Sequence, residues 1–320
     1  MPPVVWIILG LAALIGGAEL VVRYGARLAS RLGLPPILVG LTVVSLGTSL
    51  PELAVGIDAV RSDAGALAVG NIVGTNIVNL LLILGLSAAI RAVSIELQTL
   101  RLELPMMAAA AVLPLVLAGN GLLARWEGVP LVALAVAYTL LLIRWTRREN
   151  ARVLAEYGYQ PGPAQRGRTV ALYVGLLVAG LVVIVVGSQW LVDGAVRLAT
   201  ALGVSDAVIG LTVVAIGTSA PELATTIIST IRGDRDIAIG NLIGSSIYNL
   251  TIILGVALLA APGTVAIDRE LVFVDLPVMV LVSLACILLM RTDRTLSRAE
   301  GTGFVVAYAV YLGYLLIART

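Results

Sequence analysis

Apolar residues in this chain come in long unbroken runs. That is neither the narrow stripe of a surface helix nor the alternation of a half-buried strand. A bilayer core takes about 20 residues of helix. About ten runs reach that length: 3–25, 34–60, 65–90, 101–119, 128–146, 170–198, 204–231, 237–261, 271–290 and 301–318. The one long polar stretch, 147–168, reads "RRENARVLAEYGYQPGPAQRGR" and holds the cluster Pro161-Gly162-Pro163. The pattern predicts an all-α integral membrane protein of about ten transmembrane helices. Residues 1–146 form a first half of five helices, 147–168 a linker and 169–320 a second half of five.

The halves repeat each other. Residues 39–85 align with 209–255 without a gap, and roughly half the positions are identical. Gly47 falls on Gly217, Glu52 on Glu222, Asn79 on Asn249 and Gly85 on Gly255. An odd number of helices per half turns the second half upside down. This inverted-topology arrangement belongs to secondary transporters and puts a substrate site at the midplane between the halves.

Charge orients the chain. All 21 basic residues are arginine, and with ten spans sixteen of them gather on the side reached after the first helix, against five on the other. By the positive-inside bias the linker is cytoplasmic and both termini are external. The expected location is the inner (plasma) membrane. The first run lacks the basic leader and small-residue cleavage site of a signal peptide and reads as a retained helix.

Composition agrees. The chain is 59% hydrophobic and 12% charged, against about 45–50% and about 25% in soluble domains. It has no histidine and a single cysteine, Cys286. That excludes an internal disulfide, a thiolate or imidazole metal site and any Ser-His or Cys-His catalytic pair, so an enzyme is not expected.

The chemistry lies in the repeated stretch. "GTSLPEL" at Gly47–Leu53 and "GTSAPEL" at Gly217–Leu223 each put a proline and a carboxylate at membrane depth. Pro51 lacks an N–H and disfavours helical geometry at Leu50, so the carbonyl of Gly47 loses its helical partner. Irregular backbone in a membrane survives only against protein or a wet cavity. The carbonyls of Ser45 to Thr48 then need a partner, and a cation is a natural one. Thr48 shares a helix face with Glu52, Ser49 adds an oxygen, and Thr218, Ser219 and Glu222 reproduce the set. In the next helix of each half, Asn71, Thr75 and Asn79, and Asn241, Ser245 and Asn249, fall at i, i+4, i+8. Asn71 and Asn241 are read either as interhelical hydrogen-bond partners or as ligands. Gly70, Gly74, Gly240 and Gly244 let a neighbouring helix approach closely. Every polar group here bears oxygen, as hard cations such as calcium and sodium require.

Two ionised carboxylates carry about −2, which costs much if buried uncompensated. One divalent cation neutralises them, and so do two or three sodium ions. A site satisfied by either load and poorly satisfied when empty resists crossing empty between access states, which is the basis of obligatory exchange. Proton/calcium exchange through the same glutamates is a second reading, and a cation channel a third.

The paired blocks "GTSLPEL…GNIVGTNIVN" and "GTSAPEL…GNLIGSSIYN" resemble the alpha repeats of the calcium/cation antiporter superfamily, in its sodium/calcium exchanger branch. The resemblance implies alternating-access exchange of sodium for calcium, with no resident cofactor and no nucleic-acid partner. It implies that Glu52 and Glu222 are the central ligands and that Thr48, Ser49, Thr75, Asn79, Thr218, Ser219, Ser245 and Asn249 support them. Backbone carbonyls at Ser45 and Ala215 are further candidates. Several members carry aspartate where this chain has Asn79 or Asn249. The missing charge bears on potassium use and stoichiometry, not on the ion class.

Overall fold

The computed structural model describes residues 2–62, 64–157, 168–202 and 215–318. They are almost wholly helical, as membrane depth demands of a backbone without water to bond. In chain order the helices are α1 (Pro3–Leu32), α2 (Pro36–Thr48), α3 (Leu50–Arg61), α4 (Gly65–Ile90), α5 (Thr99–Asn120), α6 (Gly128–Tyr157) and α7 (Arg168–Ala201). There follow α8 (Ala215–Thr218), α9 (Ala220–Arg232), α10 (Arg235–Ala260), α11 (Leu271–Asp293) and α12 (Arg298–Ala318).

Among the described residues, eight helices are long and apolar enough to span a bilayer, and the pair α2–α3, bent by 41°, makes a ninth. The tenth span expected at 204–231 falls partly on 203–214, outside the described residues; α8 and α9 are its described part. Helix α6 runs on to Tyr157, into the segment read as linker, and 158–167 lie outside the described residues.

Two helices form the centre. In α4 and α10, 78% and 83% of the most apolar stretch is buried, against 17% to 39% in the other long helices. A large apolar core surrounds them, with Ile72, Ile77, Leu80, Leu104, Met107, Ile243, Leu254 and Met279 among its buried members. A smaller cluster, including Leu14, Val21, Val44, Leu181 and Ile184, joins α1 and α7 to α2. Ile8, Ile15, Val178 and Val182 point outward, as lipid-facing side chains do.

Contacts recur in pairs separated by an offset close to 170 residues. A Cβ on Gly10 would lie 2.7 Å from the carbonyl oxygen of Gly187, and one on Gly17 would lie 2.8 Å from that of Gly180. Offset by 170, the first contact becomes the second. In the same way a Cβ on Gly85 would meet the Gly301 carbonyl at 2.9 Å, and one on Gly255 the Gly128 carbonyl at 2.9 Å. Such backbone approach is open to glycine alone and is the usual currency of helix association in lipid. At opposite ends of α5 and α11, short antiparallel bridges tie the halves together: β1 (Val93–Ser94) to β4 (Thr295–Leu296), and β2 (Leu122–Leu123) to β3 (Val265–Ala266).

Candidate cation site

The break in the first motif falls one residue earlier than the sequence suggests. Leu50 is helical and opens α3; the residue outside helical geometry is Ser49, with φ −86° and ψ 6°. The reason is that a proline in the first turn of a helix lacks only a donor that would have no intrahelical partner anyway. The second motif repeats this at Ser219, with φ −84° and ψ 4°.

The freed carbonyls are accounted for differently in the two halves. The Gly217 carbonyl accepts a hydrogen bond from the Ser188 hydroxyl at 2.8 Å. At the matching offset the first half has Ala18, with no hydroxyl to give. The Ser45 carbonyl is not orphaned as expected: it accepts from the Ser49 N–H at 3.1 Å, the Thr48 hydroxyl at 3.3 Å and the Ser245 hydroxyl at 3.4 Å.

Helix α10 lies close against α2. A Cβ on Gly244 would sit 2.7 Å from both the Leu41 carbonyl oxygen and the Ser45 hydroxyl, and one on Gly240 would sit 2.7 Å from the Ile37 carbonyl. These two glycines do what their positions suggest. Among the described residues a Cβ on Gly70 would meet only Leu271 Cδ1, at 4.0 Å, and one on Gly74 nothing within 4 Å, so the close approach expected at those two is not seen there. The close approach lets the polar face of α10 reach the first motif. Thr48 donates to Asn241 Oδ1 at 3.2 Å, and Asn241 Nδ2 donates to Thr226 at 3.3 Å. Asn241 therefore joins three elements by hydrogen bonds, as one of its two readings has it; the Nδ2 of its counterpart Asn71 has no partner among the described residues.

The motifs meet at Ser49, whose hydroxyl donates to Glu222 Oε1 at 3.2 Å. Glu52 and Glu222 are both fully buried, and near enough for their charges to interact. Among the described residues neither is paired with an arginine; the one ion pair there is Arg232 with Glu19. Both oxygens of Glu52, Oε2 of Glu222, the amide groups of Asn79 and Asn249, and the hydroxyls of Ser219 and Thr75 are buried with no hydrogen-bond partner among the described residues. Thr218 and Ala215 stand in the short turn α8, next to the break. Asn79 and Asn249 each sit at a widened π turn, Val78–Ile83 and Asn249–Ile253, a distortion that often marks functional positions.

Sequence reasoning passed over Thr226, Ser188, Asn76 and Ser246. All four are buried and polar, and the Asn76 Oδ1 and Ser246 hydroxyl have no partner among the described residues. For Thr226, Asn76 and Ser246 a signal of polarity was available, since each is a polar residue three or four positions from a motif residue in an otherwise apolar segment, though nothing local names its partner; Ser188 stands on α7, which carries no motif residue, and had none.

A membrane-spanning helical bundle with buried carboxylates, amides and hydroxyls at its centre, and no cationic side chain among them in the described residues, defines a class that handles hard cations in the bilayer. The chain belongs to the sodium/calcium exchanger protein family, whose model matches residues 2–144 and 172–317. It is 37% identical to the inner membrane protein YrbG of Escherichia coli over 97% of this chain and 95% of that protein. It is 32% identical to the sodium/calcium exchanger MaX1 of Methanosarcina acetivorans over 96% of each. Its fold matches the structure of the sodium-calcium exchanger NCX_Mj soaked with sodium and calcium, with a TM-score of 0.84, 30% identity, and 98% of this chain and 99% of that one covered.

Proposed function

We propose that this chain exchanges sodium for calcium across the inner membrane by alternating access, through two inverted repeats of five helices, 1–146 and 169–320. The linker 147–168 is cytoplasmic and both termini are external in this reading. The paired contacts at an offset near 170 support the repeat. Arg91 and Arg235, near the β1–β4 bridge, belong to the arginine-rich side assigned to the cytoplasm.

One observation carries the function. Two fully buried glutamates, unpaired with arginine among the described residues, stand among buried oxygens that find no partner there. Unpaired charge at membrane depth is costly and functional by default. Oxygen donors with two carboxylates suit calcium, and the same donors divided among smaller charges suit sodium. Glu52 and Glu222 are the shared ligands. Ser49, Ser219, Thr48, Thr218, Thr75, Ser245, Asn79 and Asn249, with the carbonyls of Ser45 and Ala215, complete the shells. The names of MaX1 and NCX_Mj agree with this ion pair.

The test is counterflow. Calcium added outside proteoliposomes should drive sodium-22 out of them, and sodium-22 should stay inside when no counter-ion is offered. Passage of either ion alone, without its counter-ion, would make the protein a channel.

A further inference from the structure

Beyond Glu222, α9 carries Thr225, Thr226, Ser229 and Thr230. The spacing i+3, i+4, i+7, i+8 puts them on the face of Glu222 and extends it about 12 Å along the helix. None of the four is more than 3% exposed. Their counterparts on α3 at the offset of 170 are Val55, Gly56, Ala59 and Val60, which have no polar side-chain atom.

The facing helices differ in the same sense. Near the end of α4, the Ser87 hydroxyl bonds that of Thr230 at 2.7 Å. Its counterpart on α10 is Ala257, whose methyl would lie 3.5 Å from a Cβ on Gly56. A row of hydroxyls on one side of the site thus answers to an apolar contact on the other.

The row is continuous with the site at one end and with solvent at the other. Thr226 accepts from Asn241, the partner of Thr48. Ser87 and Thr230 line a small surface pocket with Arg91 and Arg235. The Arg235 guanidinium is held by Ser94 at 3.0 Å, and the acidic Glu96 and Asp236 lie close by. Thr230 bonds back to the Thr226 carbonyl at 2.8 Å, the ordinary recourse of a helical hydroxyl. The hydroxyls of Thr225 and Ser229 are buried with no hydrogen-bond partner among the described residues, a costly arrangement unless something else binds there.

We propose that this face of α9, with Ser87, is the water-lined route along which cations pass between Glu222 and the end of the bundle bearing Arg91 and Arg235, and that access from the opposite end does not follow the matching, apolar face of α3. The hydroxyls replace hydration waters as the ion sheds them. The proposal rests on the reading of Glu222 as a cation ligand.

The experiment uses the full chain with Cys286→Ala, carrying Ser229→Cys, Ala59→Cys or the exposed reporter Arg91→Cys. A small impermeant methanethiosulfonate is applied from each side of sealed membranes. Ser229→Cys is expected to react much faster than Ala59→Cys, from the side that modifies Arg91→Cys, and to be protected by saturating calcium. Reaction no faster than at Ala59→Cys, or from the opposite side, overturns the proposal. If a cysteine variant fails to fold, Thr230→Val is measured instead. It is expected to slow calcium self-exchange about tenfold, with calcium affinity unchanged and Thr230→Ser retaining the rate. An unaltered rate in Thr230→Val overturns the proposal equally. Water access does not depend on which ion is carried. A wild-type protein without sodium–calcium counterflow would therefore refute the functional reading and leave the labelling result interpretable.

Discussion

The Ser49 hydroxyl, at the break of the first motif, donates to Glu222 in the second. A residue from each motif thus meets the same carboxylate, as a single site built from both would require. The converse pair, Ser219 and Glu52, is buried but not bonded in this way. Hydrogen bonds to charged groups contribute about 1.5–3 kcal/mol. Ser49→Ala is expected to weaken calcium binding by about tenfold or more, and Ser219→Ala by less. Calcium-45 binding in detergent measures both, and equal effects would contradict the inequality of the two pairs.

Glu52→Gln and Glu222→Gln each halve the charge offered to the ion while preserving shape. Both proteins are expected to fold, with an unchanged elution profile, and to lose calcium transport. Wild-type flux in both purified variants would remove these residues from the centre of the site.

The close contact of α10 on α2 gives a stability expectation. Gly244→Ala forces a methyl against the Leu41 carbonyl and the Ser45 hydroxyl. Overpacking of this kind costs about 1–3 kcal/mol. Gly16→Ala, where a Cβ would meet nothing within 4 Å, is expected to be harmless. Thermal unfolding in detergent compares the two, and equal melting temperatures would contradict the packing.

How far the site was legible can be judged from single residues. The carboxylates, the hydroxyls beside them and the polar stripes were visible because the motif occurs twice and its spacing is helical. The break at Ser49 was not, because proline exclusion at the preceding residue is a tendency that a fresh helix start overrides. The partners of Asn241 and of the Gly217 carbonyl were not either. Thr226 and Ser188 lie on other helices, and no local rule links them. The glycine contacts of α1 with α7 were half legible: Gly10 and Gly17, like Gly180 and Gly187, are seven apart, but only packing matches one pair to the other.

Ser188 and Pro221 act on the same atom. Proline withholds the N–H that would have bonded the Gly217 carbonyl, and Ser188 supplies a hydroxyl instead. Ser188→Ala is expected to cost about 1–2 kcal/mol. In a Pro221→Ala background, where the backbone donor returns, the cost is expected to shrink by about 1 kcal/mol. A double-mutant cycle on unfolding measures the coupling, and strict additivity would mean that the two residues do not share the carbonyl.

The central claim is that two glutamates alternate between one calcium and several sodium ions. With both ionised, calcium leaves the site near neutral and three sodium ions leave it near +1. Each cycle then moves one net charge, about 2.3 kcal/mol per 100 mV. The most direct measurement is calcium-45 uptake into sodium-loaded proteoliposomes, with the potential clamped by an ionophore and potassium or a proton gradient added separately. The account expects uptake that requires internal sodium, quickens at inside-positive potential and ignores potassium. Uptake driven by a proton gradient and indifferent to sodium would contradict it.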